Sequence, residues 1–510
     1  MRAIAALLVA APISAAIDAY YKIDTPELVA YKTADEIRQS ATTLAYDLMT
    51  FYKGNQSGQI PGMLPGPPAS GTGDYYWWEG GALMGTYVDY FHLTGDASYN
   101  KVVTQGLLFQ VGENEDYQPR NQTIGLGNDD QGFWGMAAMR AAETRFPNPP
   151  PNEPQWLALA QAVWNTQAEP SRWDEACGGG LRWQRQFFNN GYSYKNGTAP
   201  VCASCFVACI LMRAAAIANG VFFNLGAHLA RYTSNDTYAQ RAEQTWDWLW
   251  NVGYIDNENW HVYDGGHVEH NCTDINRLEV SYNPALLIEG SAFLYNYTNG
   301  DEKWKYRINT MLASYLKEFF RDNVIFETDC ETREPPCTTD MLSFKGYCLR
   351  WLAVVTQLAP FTRDAIMPVL EASARAAVRQ CTGPPTGRRC GFYWTKGGVF
   401  VDPGIDNTTG AGEAMDVLAA VASLLIDEVE APVRADTGTS IGNPNAGLPD
   451  AVGGMRRGIT AADRFGAGVV TVLYVMGPAL LLVWICLDET QGVKKAKDVE
   501  GQEVSSSQAP

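Results

Sequence analysis

The chain has 510 residues, of which 46% are apolar and 12% aromatic, so it can bury a large core and is not a disordered protein. Its formal net charge of −18 excludes a nucleic-acid scaffold, because binding to phosphates requires basic patches. We expect a globular protein with an acidic, solvated surface.

The N-terminus predicts export. Residues 1–16 have the pattern of a signal peptide, with Arg2 before a short apolar run and small residues at Ser14 and Ala16; the alternative is a buried N-terminal helix. Ten of the 11 cysteines precede residue 464, which favours disulfides in an oxidising compartment. Seven N-x-S/T sequons agree with export: Asn55, Asn121, Asn196, Asn235, Asn271, Asn296 and Asn407.

The cysteine spacing leaves the connectivity open, although two pairs close short loops: Cys330–Cys337 and Cys381–Cys390. Cys202 and Cys205 form a C-x-x-C motif that could indicate zinc or redox chemistry, but no second such pair accompanies it.

Two kinds of helix alternate along the chain, six of each, and strand signals are weak. This pattern predicts an all-α fold, an (α/α)6 barrel with six inner helices ringed by six outer ones. A recurring bend with Asp96, Asp236 or Asp301 as the helix cap supports a repeat of helical hairpins. The amphipathic stretches lie near 34–53, 97–111, 153–169, 237–252, 302–320 and 362–380; the buried stretches lie near 78–92, 129–145, 201–218, 281–297, 341–358 and 410–428.

The C-terminal part predicts an anchor. We expect the helical domain to span 17–430, and 431–463 reads as a Gly/Pro-rich linker. Within 464–487, an uncharged run of 21 residues is long enough to span a bilayer, and the polar tail 488–510 carries lysines that suit a cytoplasmic side. The alternative is a GPI signal with its attachment site near Asn445. Either anchor places the bulk of the chain at the cell surface.

Asp129 and Asp130 open the second predicted inner helix. Cleavage of a glycosidic bond uses two carboxyl groups, one as nucleophile or base and one as proton donor. The helix N-terminus favours one anion, and mutual repulsion holds a proton on the other group. The competing interpretation is a helix cap in which Gln131 reaches back to the backbone.

Other polar and aromatic residues are expected at the same end of the barrel. Trp78 could stack on a sugar ring or belong to the core, and Glu79 could bind hydroxyls. Asn283 could cap its helix or bind a hydroxyl, and Lys345 could bind sugar or be solvated.

One loop contains His261, His267 and His270 together with Asp264 and Glu269. Its spacing fits no standard zinc pattern, so we expect no metal site and no cofactor.

Four motifs resemble the fungal branch of glycoside hydrolase family 76, endo-α-1,6-mannanase-like proteins of the cell surface, over roughly residues 20–430. They are Tyr76-Trp-Trp-Glu-Gly-Gly-Ala-Leu-Met-Gly85, Gly127-Asn-Asp-Asp-Gln-Gly-Phe-Trp-Gly135, Cys177-Gly-Gly-Gly-Leu-Arg-Trp-Gln184 and Ser281-Tyr-Asn283. The resemblance implies an (α/α)6 barrel and a retaining mechanism with Asp129 as nucleophile and Asp130 as acid/base.

The resemblance also implies a substrate class: α-1,6-mannan or the mannose core of GPI anchors, cleaved or transferred to a glucan acceptor during cell-wall assembly. We therefore expect a retaining endo-α-1,6-mannosidase or transglycosylase; the alternative is a non-catalytic glycan-binding wall protein. The side chains expected to contact substrate are Trp78, Glu79, Gln131, Trp134, Tyr282, Asn283 and Lys345.

Overall fold

The computed structural model describes residues 33–68, 71, 73–195, 218–332 and 337–448, all within one compact unit, residues 1–451. These residues form two concentric rings of helices. The inner helices are α2 (Trp77–Thr94), α4 (Asn128–Glu143), α6 (Ala218–Thr233), α8 (Tyr282–Tyr297), α11 (Phe344–Leu358) and α13 (Ala411–Ala422). The outer helices are α1 (Ala34–Met49), α3 (Asn100–Phe109), α5 (Trp156–Ala168), α7 (Asp236–Val252), α9 (Glu302–Phe319) and α12 (Arg363–Arg379).

The inner ring is closed. Each inner helix packs on the next one along the chain, and α13 returns to pack on α2. Each outer helix packs on an inner neighbour, so the predicted (α/α)6 architecture is confirmed. The third inner helix was predicted over 201–218; residues 201–217 lie outside the described residues, and the described helix at this place in the ring is α6.

The buried residues follow the two predicted helix patterns: one face in an outer helix and the whole circumference in an inner helix. In the outer helix α9, the buried residues are Trp304, Ile308, Met311, Leu312, Tyr315 and Phe319, which recur at three- and four-residue intervals on one face. In the inner helix α8, every residue from Tyr282 to Leu294 is buried. An inner helix is covered by neighbours on all sides, so it needs apolar and small residues around its whole circumference.

The helical hairpins turn at the three positions that the recurring sequence predicted, but only one of the three predicted Asp residues caps its helix. Asp301 caps α9 by accepting the Lys303 N–H, but α7 is capped by Asn235, one residue before the predicted Asp236. Asp96 accepts the Ser98 N–H within the first bend instead of capping α3. Gly95 ends α2 with φ of 78°, a left-handed conformation that glycine adopts without strain.

Short strands and disulfides secure the loops. β1 (Tyr194–Lys195) pairs with β2 (Gly266–His267), and β3 (Phe320–Arg321) pairs with β4 (Val324–Ile325); the remaining short helix is α10 (Thr328–Glu331). The predicted pairs Cys330–Cys337 and Cys381–Cys390 are present, and Cys177–Cys272 is a third bond. Cys348 is a buried free thiol; Cys202, Cys205, Cys209 and Cys486 lie outside the described residues.

The described part of the predicted linker, residues 431–448, packs on the barrel as a strap. The Val433 N–H donates to the carbonyl of Glu143 across 2.8 Å at the C-terminal end of α4. Further along, the Asn165 amide of α5 donates to the carbonyl of Ala446 across 2.9 Å. The strap therefore crosses the end of the barrel where α4 finishes and then runs along α5.

No helix among the described residues is both long enough and apolar enough to cross a bilayer. The predicted signal peptide at 1–16, the predicted membrane segment at 464–487 and the polar tail at 488–510 lie outside the described residues.

Candidate active site at the barrel mouth

The inner helices place their N-terminal ends at one end of the barrel, which we call the mouth. Asp129 and Asp130 are the second and third residues of α4 there. Asp130 Oδ2 accepts the Gly127 N–H across 2.7 Å, and Asp129 Oδ1 accepts the Asp130 N–H across 3.0 Å. The reciprocal cap predicted from Gln131 is thus made by Asp130, and both carboxyl groups are held by backbone donors.

Trp183 fixes the second oxygen of Asp129. Its indole Nε1 donates to Asp129 Oδ2 across 3.2 Å. The backbone of Trp183 is held on both sides, because its carbonyl accepts the Asn128 N–H (2.9 Å) and its N–H donates to the carbonyl of Tyr194 (2.8 Å). Trp183 lies within one of the motifs that carry the family resemblance, but its role as a ligand of Asp129 depends on a contact across 54 residues.

Both members of the pair have raised pKa values. Burial raises the pKa of Asp129 well above its usual range, and the neighbouring charge of Asp130 adds to this. Burial also raises the pKa of Asp130, to about 6, although its hydrogen bond from Gly127 opposes the rise. A pair of this kind retains one proton near neutral pH. Because Asp129 has the higher of the two raised pKa values, that proton lies on Asp129 in the free site, and it must pass to Asp130 for cleavage with Asp129 as nucleophile.

Asp340 is a third carboxyl group at the mouth, and the sequence analysis missed it. It is 7% exposed, and its Oδ1 accepts the indole N–H of Trp78 across 3.0 Å. Burial raises the pKa of Asp340 to about 6, and the charge of Asp130 contributes to the rise. The signal in the sequence is an acid one turn upstream of α11, outside the helix start at which contacts were predicted.

Aromatic rings connect the starts of four inner helices. The Trp78 ring of α2 lies 4.6 Å from Phe133 of α4, measured between centroids. Tyr282 of α8 lies 6.4 Å from Phe133 and stacks on Phe344 of α11 at 4.0 Å. Trp78 and Tyr282 were predicted as substrate contacts; they are 8% and 2% exposed, and they form the aromatic layer beside the acid pair.

Glu79 and Asn283 keep polar atoms without hydrogen-bond partners among the described residues. Glu79 Oε2 accepts the Tyr76 N–H across 2.6 Å, but Oε1 is buried and unpaired. Burial, with the nearby charge of Asp340, raises the pKa of Glu79 well above its usual range. Asn283 is 3% exposed and neither amide atom is paired. Unpaired buried groups are the ones that a ligand hydroxyl can satisfy.

Three other predicted contacts lie behind this layer. The Gln131 amide donates to the carbonyl of Asp116 (2.7 Å) and accepts from Arg172 (3.0 Å). Lys345 Nζ donates to the carbonyl of Phe392 and pairs with Glu331. Trp134 is fully buried. Their contact with substrate stays a prediction; in the structure they support the wall of the mouth.

The comparisons with known proteins agree with this architecture. The pattern of glycosyl hydrolase family 76 matches residues 36–214 and 211–436. The chain is 40% identical to the mannan endo-1,6-alpha-mannosidase DCW1 of Eremothecium gossypii over 457 residues, 88% of this chain and 93% of that protein. It is 37% identical to the mannan endo-1,6-alpha-mannosidase DFG5 of Saccharomyces cerevisiae, over 84% of this chain and 87% of that protein.

Solved structures show the same fold. The crystal structure of Dfg5 from Chaetomium thermophilum in complex with glucosamine has a TM-score of 0.77 and 63% identity, covering 84% of this chain and 98% of that one. An inactive variant of the α-1,6-mannanase of Salegentibacter sp., in complex with α-1,6-mannotriose, has a TM-score of 0.56 and 17% identity, covering 76% of this chain and 99% of that one. This chain belongs to glycosyl hydrolase family 76.

Proposed function

We propose that this protein is a retaining endo-α-1,6-mannosidase or transglycosylase of α-1,6-mannose-containing glycans. The observation that carries the proposal is the pair Asp129–Asp130, held by backbone donors and Trp183 at the mouth of the barrel. Relatives about 40% identical over most of the chain are named mannan endo-1,6-alpha-mannosidases, which supports this substrate class.

In the proposed reaction, a carboxylate oxygen of Asp129 attacks the anomeric carbon and forms a glycosyl ester, while Asp130 gives its proton to the departing sugar oxygen. Asp130 then takes a proton from an incoming hydroxyl, which attacks the ester and releases Asp129. The Trp183 indole and the Asp130 N–H hold Asp129 in place during both steps. Water as the acceptor gives hydrolysis, and a sugar hydroxyl gives transfer.

For the acceptor, we propose a cell-wall glucan, with the mannose core of GPI anchors as the donor glycan. The glucosamine complex of the Dfg5 protein from Chaetomium thermophilum supports a site that accepts a hexose. Mass spectrometry of products made with isotope-labelled acceptor oligosaccharides tests this point. Label in the mannose-containing products means transfer, and free reducing ends alone mean hydrolysis.

The test of the catalytic pair compares wild type with Asp129→Asn and Asp130→Asn on α-1,6-mannan oligosaccharides. Both variants should lose at least about 1,000-fold in kcat, because each removes a group that acts in bond cleavage. Asp301→Asn is the matched control: it makes the same change at the start of α9, where asparagine caps a helix as well as aspartate does. Full activity in both site variants would exclude the proposed mechanism.

We also propose that the protein works at the outer cell surface, exported by residues 1–16 and anchored through 464–487 as a single-pass segment. The support is the sequence pattern of these two segments and the sequons between them. A GPI anchor is the alternative, and phosphatidylinositol-specific phospholipase C distinguishes the two, because it releases only a GPI-anchored protein from membranes.

A further inference from the structure

Two imidazoles converge on one carboxylate at the end of β2 and in the loop that follows it. His267 Nδ1 lies 2.7 Å from Asp274 Oδ2, and His270 Nδ1 lies 2.9 Å from the same oxygen. The candidate ligand atoms of the three residues all lie within 4.8 Å of one another. We propose that His267, His270 and Asp274 bind a divalent transition metal ion of the zinc class through two imidazole nitrogens and one carboxylate oxygen.

The residue types and separations suit such an ion. Imidazole and carboxylate bind Zn²⁺ at about 2.0–2.2 Å, which places two ligands of a tetrahedral site about 3.3 Å apart. The two imidazole–carboxylate separations, 2.7 and 2.9 Å, would open by about 0.5 Å, and the two imidazole nitrogens, up to 4.8 Å apart, would approach each other by as much as about 1.5 Å. Each imidazole would present the Nδ1 lone pair and carry its proton on Nε2. Three protein ligands leave a fourth position for water.

The loop is already held in the shape that the site needs. The Cys177–Cys272 disulfide fixes it between the second and third ligands. The Cys272 N–H donates to the carbonyl of His267 across 2.9 Å, and the His267 N–H donates to Asp274 Oδ1 across 2.9 Å. Because these contacts order the loop in advance, little conformational entropy is lost when the ion binds.

The other polar residues of this region have separate partners. His261 lies 2.7 Å from Glu279, and Asp264 accepts hydrogen bonds from Tyr194 and Asn276. The site therefore differs from the set considered from the sequence: Asp274 replaces Asp264 and Glu269, and His261 is not part of it. Asp274 is only four residues from His270 and seven from His267, and the turn of the loop brings its carboxylate onto both imidazoles.

The site lies on the outside of the wall that holds the acid pair. His267 pairs with Tyr194 across β2 and β1, and the carbonyl of Tyr194 accepts the N–H of Trp183, the ligand of Asp129. The ion would therefore be structural. It would stiffen the paired strands β1 and β2 behind Trp183. The inference does not depend on the proposed glycosidase activity.

The experiment is a titration of the metal-free full-length protein with Zn²⁺ by isothermal calorimetry, with thermal unfolding in the presence and absence of Zn²⁺. We expect one ion per chain at this site and a rise in Tm with Zn²⁺ concentration. His270→Gln and Asp274→Asn should each remove that ion and the Tm rise. His270 has 65% of its side chain exposed, so its replacement leaves the fold intact.

His261→Gln is the matched control, because it changes a histidine of the same region that faces a single carboxylate, and it should keep the ion. Co²⁺ spectra identify the ligands, since thiolates give an intense charge-transfer band that imidazole and carboxylate lack. An ion bound by cysteines would show this band and would remain in all variants. The absence of saturable binding, or binding that is equal in wild type, His270→Gln and Asp274→Asn, would overturn the inference. Either result leaves the test of Asp129 and Asp130 unaffected.

Discussion

The indole nitrogen of Trp183 donates a hydrogen bond across 3.2 Å to Oδ2 of Asp129, and the two residues come from different segments of the chain. A donor to a carboxylate favours its ionised form and lowers its pKa. Trp183 thereby acts against burial, which raises the pKa of the same group. The contact links the loop that follows α5 to the chemistry proposed for α4.

Replacing Trp183 with Phe should therefore impair the proposed nucleophile while keeping an aromatic ring. A hydrogen bond to a charged group contributes about 1.5–3 kcal/mol, so kcat/KM should fall by about 10- to 100-fold. The pKa of Asp129 should rise, which moves the acidic limb of the pH profile of kcat/KM to higher pH. A profile that superimposes on that of wild type would show that the indole N–H has no such role.

Asp340→Asn tests the third carboxyl group. Asparagine can still accept the Trp78 indole N–H, so the geometry is retained while the charge is removed. The charges of Asp340 and Asp130 repel each other, so the variant should lower the pKa of Asp130. If Asp130 acts in its protonated form, the alkaline limb of kcat/KM should move to lower pH. If the alkaline limb does not move, Asp340 does not influence the acid/base group.

Asn283→Leu should lower activity on the substrate with little effect on stability. Neither amide atom of Asn283 has a partner among the described residues, so a similarly sized apolar side chain should change the free energy of unfolding by less than about 1 kcal/mol. If Asn283 binds a sugar hydroxyl, kcat/KM should fall by about 3- to 10-fold. Gln131→Leu is the contrasting variant, because it leaves the partners of a paired amide unsatisfied and should lower stability by about 1–3 kcal/mol. Equal destabilisation by the two changes would contradict this division.

A buried histidine should lower the free energy of unfolding as pH rises into the alkaline range. His228 Nδ1 lies 2.9 Å from Glu143, and its Nε2 lies 3.7 Å from Glu289. Burial opposes the charged imidazole, but the two carboxylates outweigh it and raise the pKa of His228 to about 9. Its contribution is complete below the unfolded pKa of about 6.5 and is lost as pH rises through about 9.

Urea unfolding at a series of pH values measures this effect. Wild type should lose about 3 kcal/mol between pH 6.5 and pH 9 from this group. His228→Asn should be less stable at pH 6.5 and should show a flatter dependence over the same interval. Parallel curves for the two proteins would assign the pH dependence to other groups.

The strap predicts where the catalytic unit ends. A chain that stops at residue 430 lacks the bond from Val433 to Glu143 and the contact of Ala446 with Asn165. A chain that stops at residue 448 keeps both. We expect the shorter form to have a Tm lower by about 2 °C or more, because two or more buried hydrogen bonds are lost. Equal Tm values in differential scanning calorimetry would show that the strap adds nothing to stability.

Several features followed from the sequence alone. The alternation of amphipathic and wholly apolar helices can be predicted locally. The distribution of apolar residues around a helix shows how much of its surface neighbouring helices cover. Asp129 and Asp130 could also be found from the local sequence, because they are adjacent residues at a predicted helix start. Two disulfides were predictable because their partners are 7 and 9 residues apart, whereas Cys177–Cys272 spans 95.

Contacts between distant segments could be decided only by the tertiary structure. The closure of the ring brings Asp340 to Trp78, and the loop after α5 brings Trp183 to Asp129, across separations that no periodicity records. The same holds for the burial of Gln131 and Lys345 behind the mouth and for the packing of a Gly/Pro-rich strap on α5. A sequence pattern reports which face of a helix is covered; it does not report which residue covers it, because that depends on how the helices close into a barrel.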